Sequence, residues 1–331
     1  MGPGGLVVPL GRENSMRWDG RPGRYEVWYL TVNLPAERVG LWLRYTLDAP
    51  LPGHGAARCE LWAHLFDGAE PRRSFGLKSV HPIEALSREG IVGVGEARYR
   101  EGHLRGAVEA GGRSIAWDLR YEPSATSVHL APWLVRAAGL ARTEVRLPNV
   151  AARFSGAVRA DGRAFSLDGA PGHQGHLFGK KHVEAWAWLH CSAWEGGADA
   201  TVDGVAAVLR RGRSRPLTAL FLRVRGEDVP LATLGGLLRS RAEVAFPRLG
   251  FRGRSRRVLV EGEARLSPER ALQVLYLDPD GEESRCAHSA VADCVVTLRW
   301  SDGRQETLAA RGTANLEFGS RSPFAGVRDS V

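Results

Sequence analysis

HVEAWAWLHC, residues 182–191, is the stretch of sequence that decides the fold. Large polar or aromatic residues alternate along it with small apolar ones, and a period of two is that of a β-strand. One face of the predicted strand carries the polar and aromatic residues His182, Glu184, Trp186, Trp188 and His190. The apolar face carries Val183, Ala185, Ala187, Leu189 and Cys191. The stretch therefore predicts a strand with one face of small apolar residues and one face of polar and aromatic residues.

The same alternation recurs along the chain, and the breaks between its segments contain Gly, Asp, Pro and Ser. This pattern is typical of antiparallel strands joined by short turns. The clearest further segments are residues 24–32, 40–47, 58–66, 113–121, 152–160, 257–266 and 294–300. Asp161-Gly162 and Asp302-Gly303 lie between such segments and predict tight hairpins. Helix patterns occur at residues 131–140 and 229–241, so the sequence predicts a nearly all-β protein with few short helices.

A nearly all-β chain of 331 residues is expected to form two domains. Two closed sheets hide their edges better than one long open sheet does. Pro148 interrupts the alternation in TEVRLPNV, just before a new hairpin begins. The predicted domains are therefore residues 1–145 and residues 146–331, each an antiparallel barrel or sandwich.

Composition excludes several classes of protein. The formal charge of +8 comes from scattered arginines balanced by 37 acidic residues, so no nucleic-acid partner is expected. No run reaches the roughly 18 to 20 apolar residues of a membrane-spanning helix, and no signal-peptide pattern is present, so a cytoplasmic protein without an integral membrane span is expected. The four cysteines stand singly, which predicts buried reduced thiols. No cofactor is expected.

The spacing Glu-x-Trp is the most unusual motif. It occurs at Glu26/Trp28, Glu60/Trp62 and Glu184/Trp186. Residues i and i+2 of a strand lie on one side, roughly 6.5 to 7 Å apart, so each carboxylate lies beside an indole. Solvent is a poor environment for these indoles and for Trp42, so their faces are expected to line a cavity or a domain interface. The alternative, favoured for Glu26 and Glu60, is that each Glu accepts a structural hydrogen bond from an Arg or a Trp N–H, with Arg44 as a possible partner.

Histidines are concentrated before and within the opening stretch, where four of the ten lie between residues 173 and 190. On a straight strand His182 and His190 would be roughly 26 Å apart, too far to share one ion. The spacing matches no established metal motif, so no metal site is predicted. His173 and His176 are interpreted as acid–base residues on a loop, and the alternative is that they only order that loop.

Residues 154–191 resemble the second-domain segment of the carotenoid 1,2-hydratase (hydroxyneurosporene synthase), AttH-like and tocopherol-cyclase-like superfamily. The shared features are a glycine-ended hairpin, a His-bearing loop and a Trp-rich strand. Residues 16–33 and 40–50 also resemble the first domain of such proteins. The resemblance implies two lipocalin-like antiparallel β-barrel domains in tandem. It also implies a hydrophobic, often isoprenoid substrate and hydration or cyclisation begun by protonation of an alkene.

This resemblance implies an enzyme of isoprenoid or terpenoid secondary metabolism that performs acid-initiated hydration or cyclisation. The predicted catalytic residues are Glu184, His176 and His173. The predicted substrate-binding residues are Trp186, Trp188, His182, His190, Trp28, Trp42 and Trp62. Indole faces would stabilise a carbocation by about 0.5 to 2 kcal/mol each. The alternatives are a non-catalytic lipocalin-like carrier of a hydrophobic small molecule and a scaffold whose barrel is filled by side chains.

Overall fold

The computed structural model describes residues 7–9, 13–130, 143–209, 215–229, 231 and 233–330. Within these residues the protein is nearly all β, with two large antiparallel sheets, one of which nearly closes into a barrel. The predicted all-β fold class is confirmed. The helix predicted at residues 131–140 lies outside the described residues.

The first sheet contains thirteen of the described strands. They are β1 (Val7–Pro9), β2 (Arg24–Leu34), β3 (Val39–Ala49), β4 (Arg58–Asp67), β5 (Phe75–Pro82), β6 (Leu86–Ser87), β7 (Val92–Val94), β8 (Ala97–Arg100), β9 (His103–Ala110), β10 (Arg113–Tyr121), β11 (Thr126–His129), β12 (Thr143–Ala160) and β13 (Arg163–Gly179). Their order is β5-β4-β3-β2-β13-β12-β10-β9-β8-β7-β6, with β1 on β11 and β11 on β12. The pairing of β2 with β13 joins the beginning of this sheet to its end.

The second sheet contains the remaining eleven described strands. They are β14 (Ala185–Cys191), β15 (Ala200–Val208), β16 (Leu217–Val224), β17 (Glu227–Val229), β18 (Arg241–Ala245), β19 (Arg248–Arg254), β20 (Val258–Arg265), β21 (Leu272–Leu277), β22 (Glu283–Trp300), β23 (Gln305–Ser320) and β24 (Arg328–Asp329). Their order is β17-β16-β15-β14-β23-β22-β20-β19-β18, and β21 pairs with β22 and, in parallel, with β24.

The helices in the described part of the chain are short. The α-helix α1 (Leu234–Arg239) lies within the helix predicted at residues 229–241 and begins at Thr233, whose Oγ1 accepts a hydrogen bond from the Gly236 N–H. Single 3₁₀ turns span Pro71–Arg73, Ile83–Ala85, Glu195–Gly197 and Pro268–Arg270. None of these helices has the length and hydropathy that a membrane-spanning helix needs.

The change from the first sheet to the second lies between Gly179 and Ala185. The expected division between residues 145 and 146 falls inside β12, which belongs with β13 to the first sheet. Pro148, which suggests a break, lies at a register shift of β12 between Arg146 and Asn149. A bulge accommodates proline because the ladder hydrogen bonds are already interrupted there, so the strand continues through it.

The predicted hairpins and thiols are present. Asp161 and Gly162 both have positive φ (47° and 78°) at the turn between β12 and β13, as a tight hairpin of this kind requires. Asp302 and Gly303 lie in the turn between β22 and β23. All four cysteines are free and buried.

Three main groups of buried apolar side chains follow from the alternation. One fills the first sheet, a second fills the second sheet, and a third lies where the two sheets meet. Along β14, Ala187, Leu189 and Cys191 enter the second core, whereas Trp186 and Trp188 enter the group between the sheets. The two tryptophans of β14 therefore lie at the contact between the sheets because they occupy the face opposite its small apolar residues.

Candidate functional site

A cavity of about 190 Å³ lies between the two sheets, and we call it the inter-sheet cavity. Its walls come from β2 to β5 of the first sheet and from the segment before β14 and β21 of the second. The lining residues are Tyr25, Arg44, Thr46, Asp48, Arg58, Glu60, Trp62, Lys78, His182, Leu275, Tyr276 and Leu277. Charged and aromatic side chains thus share one space that is partly open to solvent.

The local sequence of β3 explains why its polar side chains face the inter-sheet cavity. Leu41, Leu43 and Tyr45 alternate with Trp42 and Arg44, and the first three belong to the core of the first sheet. The apolar face therefore packs inward and turns the polar face toward the second sheet. Strand β4 repeats the pattern.

Arg44 is the central cation of the cavity and is only 6% exposed. Its guanidinium carbon lies 4.2 Å from the ring centre of Tyr276 and 5.7 Å from that of Trp62, so aromatic faces surround it. Its Nε donates a hydrogen bond to Thr46 Oγ1 over 2.9 Å. Within the described residues Arg44 forms no ion pair, because the cavity carboxylates pair with other cations.

Asp48 lines the cavity and has a raised pKa. Its Oδ2 pairs with Arg58, and its Oδ1 has no hydrogen-bond partner within the described part of the chain. Burial raises the pKa of Asp48 to about 6 despite the opposing effect of Arg58. A carboxyl group with this pKa exchanges a proton readily near neutral pH.

Glu60 has the structural role that the Glu-x-Trp pattern suggests. It accepts a hydrogen bond from the Trp62 indole N–H over 3.1 Å and forms ion pairs with Lys78 and Arg58. Burial alone would raise the pKa of Glu60, but these two cations outweigh burial and hold the pKa below its usual value. Its partners are therefore Arg58 and Lys78, and Arg44 is left for another group.

His182 forms a pair with Asp278 at the edge of the cavity. The His182 Nδ1–H donates to Asp278 Oδ1 over 2.6 Å, and the backbone N–H of His182 donates to the same oxygen over 2.9 Å. Arg321 pairs with the other carboxylate oxygen at 3.1 Å. The ring stacks on Tyr25 at 4.8 Å and on Tyr276 at 5.4 Å. With Nδ1 engaged and both ring faces covered, Nε2 is the atom of His182 suited to proton transfer.

Trp186 and Glu317 lie behind His182. Trp186 stacks on His182 at 5.2 Å, and its indole N–H donates to Glu317 Oε1 over 2.5 Å. Burial raises the pKa of Glu317, although the Trp186 hydrogen bond opposes the shift. Glu317 is thus a second carboxyl of low acidity close to the site.

The other predicted tryptophans and histidines divide between different places. Trp42 joins the group between the sheets, 6.4 Å from Trp62, and Trp188 lies there 5.6 Å from His173. His190 is fully buried, and its Nδ1 lies 3.1 Å from Asp203 Oδ2. The inter-sheet cavity is not lined by Trp42, Trp188, His173 or His190.

Trp28 and His176 lie together in the first sheet. Trp28 shares its face of β2 with Leu30 and Val32, which place it in the first core. His176 stacks on Trp28 at 4.8 Å and pairs through Nε2 with Glu26 at 2.8 Å. Glu26 also accepts backbone hydrogen bonds at 2.7 and 2.9 Å, so its favoured structural interpretation agrees with the contacts.

The expected loop from His173 to Gly179 is part of β13, because strands β12 and β2 pair with it on both sides. His173 and His176 therefore point to opposite faces of the strand, and only His173 faces the second sheet. Glu184 lies at a bend just before β14 and does not line the inter-sheet cavity. The predicted catalytic residues are thus in three different places.

Comparisons with known proteins agree with this architecture. No protein-family model matches the chain. Uncharacterized protein Rv0493c of Mycobacterium tuberculosis (strain H37Rv) is 28% identical over 312 residues, which cover 93% of this chain and 90% of the relative.

Three solved structures share the fold. An AttH-like protein (NE1406) of Nitrosomonas europaea has a TM-score of 0.51 and 12% identity, and the match covers 95% of this chain and 100% of that one. Kievitone hydratase of Nectria haematococca has a TM-score of 0.53 and 9% identity, with 94% of this chain and 92% of that one covered. CghA has a TM-score of 0.51 and 12% identity, with 97% of this chain and 96% of that one covered. The chain has the AttH-like and hydratase-like fold. At these identities the likeness concerns the fold alone.

Sequence reasoning missed Asp48, Tyr276, Asp278 and Glu317. A signal for Asp48 exists, because it continues the face of Trp42 and Arg44 by two more steps along β3. Glu317 likewise alternates with the core residues Leu316 and Phe318. Asp278 gives no local signal, since it meets His182 only through a contact 96 residues distant in sequence.

Proposed function

We propose that this chain is a hydratase-type enzyme that adds water to a carbon–carbon double bond conjugated to a carbonyl or carboxylate, within the inter-sheet cavity. The single observation that carries the proposal is the buried Arg44, which faces the cavity without a carboxylate partner. A buried cation is costly unless a charge or dipole compensates it, so an oxygen-bearing ligand is the group that this position favours. The hydratase among the proteins of the same fold supports the reaction class.

Size and shape restrict the substrate. A cavity of about 150 Å³ is enough for benzene, so about 190 Å³ suits one ring with a short substituent. The flat faces of Tyr276 and Trp62 favour a planar molecule. A short isoprenoid fits this volume, whereas a carotenoid-length chain exceeds it.

The charge of the cavity favours one mode of addition over another. A carbocation would develop close to the Arg44 guanidinium, which repels it. Negative charge on a conjugated oxygen would instead be stabilised by the same group. We therefore propose conjugate addition of water in place of the protonation of an isolated alkene.

Two groups carry the protons. His182 Nε2 accepts a proton from water as the water oxygen bonds to the β-carbon, and the electron pair of the double bond moves toward the oxygen held by Arg44. Asp48, with a pKa of about 6, then gives its proton to the α-carbon. Transfer of the proton from His182 to Asp48 through solvent restores both residues. Asp278 holds the His182 ring and stabilises its cationic form.

Cinnamate is a small probe that has a ring, a conjugated double bond and an anionic oxygen. We expect it to quench tryptophan fluorescence and to gain one water molecule, detected by mass spectrometry. Asp48→Asn and His182→Gln should abolish the product while cinnamate still binds. Absence of binding in the wild-type protein would contradict the proposal.

A second candidate is a non-catalytic carrier for a small planar anion. It is favoured by the pairing of Glu60 with Lys78 and Arg58, which leaves this cavity carboxylate ionised and structurally engaged. Binding of cinnamate-like anions without turnover of any conjugated acid or ketone tested would support the carrier over the enzyme.

A further inference from the structure

A second polar cluster lies at the contact between the two sheets, and none of its residues lines the inter-sheet cavity. It consists of His173 on β13 of the first sheet and His190 and Asp203 on β14 and β15 of the second. All three side chains are fully buried. We call these residues the His-His-Asp cluster.

The ligand-type atoms of this cluster converge. His190 Nδ1 lies 3.1 Å from Asp203 Oδ2, and His173 Nε2 lies 3.9 Å from the same oxygen. One ring nitrogen from each histidine and one carboxylate oxygen all lie within 4.8 Å of one another. Two ligands bonded to one ion at about 2.1 Å are separated by roughly 3 to 3.4 Å, which is the separation already present between His190 and Asp203.

The cluster has unused hydrogen-bonding capacity. Both ring nitrogens of His173 and Oδ1 of Asp203 have no hydrogen-bond partner within the described residues. No lysine or arginine of that part of the chain forms an ion pair with Asp203. Burying such groups unpaired is costly, and a bound cation would satisfy the carboxylate and an imidazole together.

His190 is also held as a metal-binding histidine usually is. Its Nε2 lies 3.1 Å from Ser192 Oγ, so the ring can donate that N–H to the hydroxyl and turn Nδ1 toward Asp203. Ligating histidines are commonly oriented in this way through their second nitrogen. The serine hydroxyl can therefore accept the Nε2–H of the tautomer that a metal requires.

We propose that His173, His190 and Asp203 bind a divalent transition-metal ion of the zinc class that links the first sheet to the second. Two imidazoles and one carboxylate suit such an ion better than Mg²⁺ or Ca²⁺, which prefer oxygen ligands. The proposal departs from the sequence-based expectation of no metal. That expectation considered spacing along the chain, whereas these ligands come from three separate strands.

One side chain must move for the ion to bind. The His173 ring is stacked on His190 at 4.6 Å with an interplanar angle of 16°, so their in-plane lone pairs do not yet converge on one point. A tilt of His173 toward Asp203 brings them together. Because neither nitrogen of His173 has a hydrogen bond to lose, the tilt breaks none.

The test measures metal content and ligand geometry. The full-length protein is unfolded with a chelator, desalted and refolded with either Zn²⁺ or Co²⁺, and bound metal is counted by elemental mass spectrometry. We expect about one ion per chain and the strong visible absorption of four-coordinate Co²⁺. Wild-type protein that retains no metal, or that gives only the spectrum of aqueous Co²⁺, would overturn the proposal.

Matched variants separate the cluster from nonspecific binding. Asp203→Asn keeps the shape of the side chain and removes the charge, so retention should fall at least tenfold. His288→Gln is the control, because His288 is equally buried with both ring nitrogens unpartnered, packs on aromatic rings, and forms no ion pair with a carboxylate of the described residues. Retention should stay at the wild-type level in this control. Equal retention by Asp203→Asn would refute the assignment, and if that variant does not fold, the wild-type Co²⁺ spectrum decides.

Discussion

His182 and Asp278, 96 residues apart in sequence, are joined by a hydrogen bond of 2.6 Å from Nδ1 to Oδ1. The contact lies at the edge of the inter-sheet cavity and directs one nitrogen of His182 away from Asp278. In the function proposed above, this contact orients His182 as the base.

Asp278→Asn should lower kcat for the hydration at least tenfold while the Kd of cinnamate changes little, because the amide no longer stabilises a cationic imidazole. Burial alone would raise the pKa of Asp278, but His182 and Arg321 lower it. The carboxylate therefore stabilises the fold above about pH 4, and this contribution is lost as pH falls further. The variant should lose about 1 to 3 kcal/mol of unfolding free energy at pH 7. Denaturant titrations at pH 7 and pH 3 measure this, and an equal loss at both would contradict it.

The pKa of Asp48 predicts the opposite dependence on pH. Because burial raises its pKa to about 6, Asp48 contributes stability that is present below about pH 4 and is lost as pH rises through 6. The unfolding free energy of the wild type should therefore fall relative to Asp48→Asn, by on the order of 2 kcal/mol between pH 4 and pH 7. Arg58 keeps Glu60 as a partner in the variant. Parallel curves for the two proteins would show that Asp48 ionises normally.

Arg44→Met should weaken cinnamate binding at least tenfold, or about 1.4 kcal/mol, because the anion loses the cavity cation that has no carboxylate partner among the described residues. Stability should stay constant or rise, since no carboxylate is left unpaired. Lys78→Met is the contrasting variant, because Glu60 then loses an ion-pair partner. Fluorescence titration and denaturant unfolding distinguish the two. Unchanged affinity in Arg44→Met would remove Arg44 from the site.

Gly319 makes room for Trp186. A Cβ atom at Gly319 would lie 2.1 Å from the Trp186 ring, whereas at Gly250 the nearest atom would be 3.9 Å away. Gly319→Ala should therefore cost about 1 to 3 kcal/mol of unfolding free energy and disturb the stack of Trp186 on His182. Gly250→Ala, also in a strand, should be neutral or slightly stabilising. Similar losses in both variants would mean that the packing of Trp186 is not the cause.

The fold was largely predictable because strand alternation is a local signal. Ala187, Leu189 and Cys191 enter one core as the pattern in HVEAWAWLHC indicates, and Asp161-Gly162 forms its hairpin from two residues. The end of the first sheet could not be read from Pro148, because a bulge accommodates this residue and the pairing of β12 with β10 and β13 is a long-range property.

The site was predicted less well. Trp62 and His182 line the inter-sheet cavity and Glu184 does not, because β14 begins only at Ala185 and its alternation does not extend back to 184. Trp28 lies in the core of the first sheet, on the face of β2 that also carries Leu30 and Val32. Which charged group remains unpaired depends on contacts between strands, and these follow only from the folded structure.

A crystal structure of the protein grown with cinnamate tests the central claim most directly. We predict the carboxylate within hydrogen-bonding distance of the Arg44 guanidinium, the ring beside Tyr276 and Trp62, and the double bond facing Asp48 and His182. Cinnamate bound elsewhere, or an inter-sheet cavity without it at saturating concentration, would contradict the account.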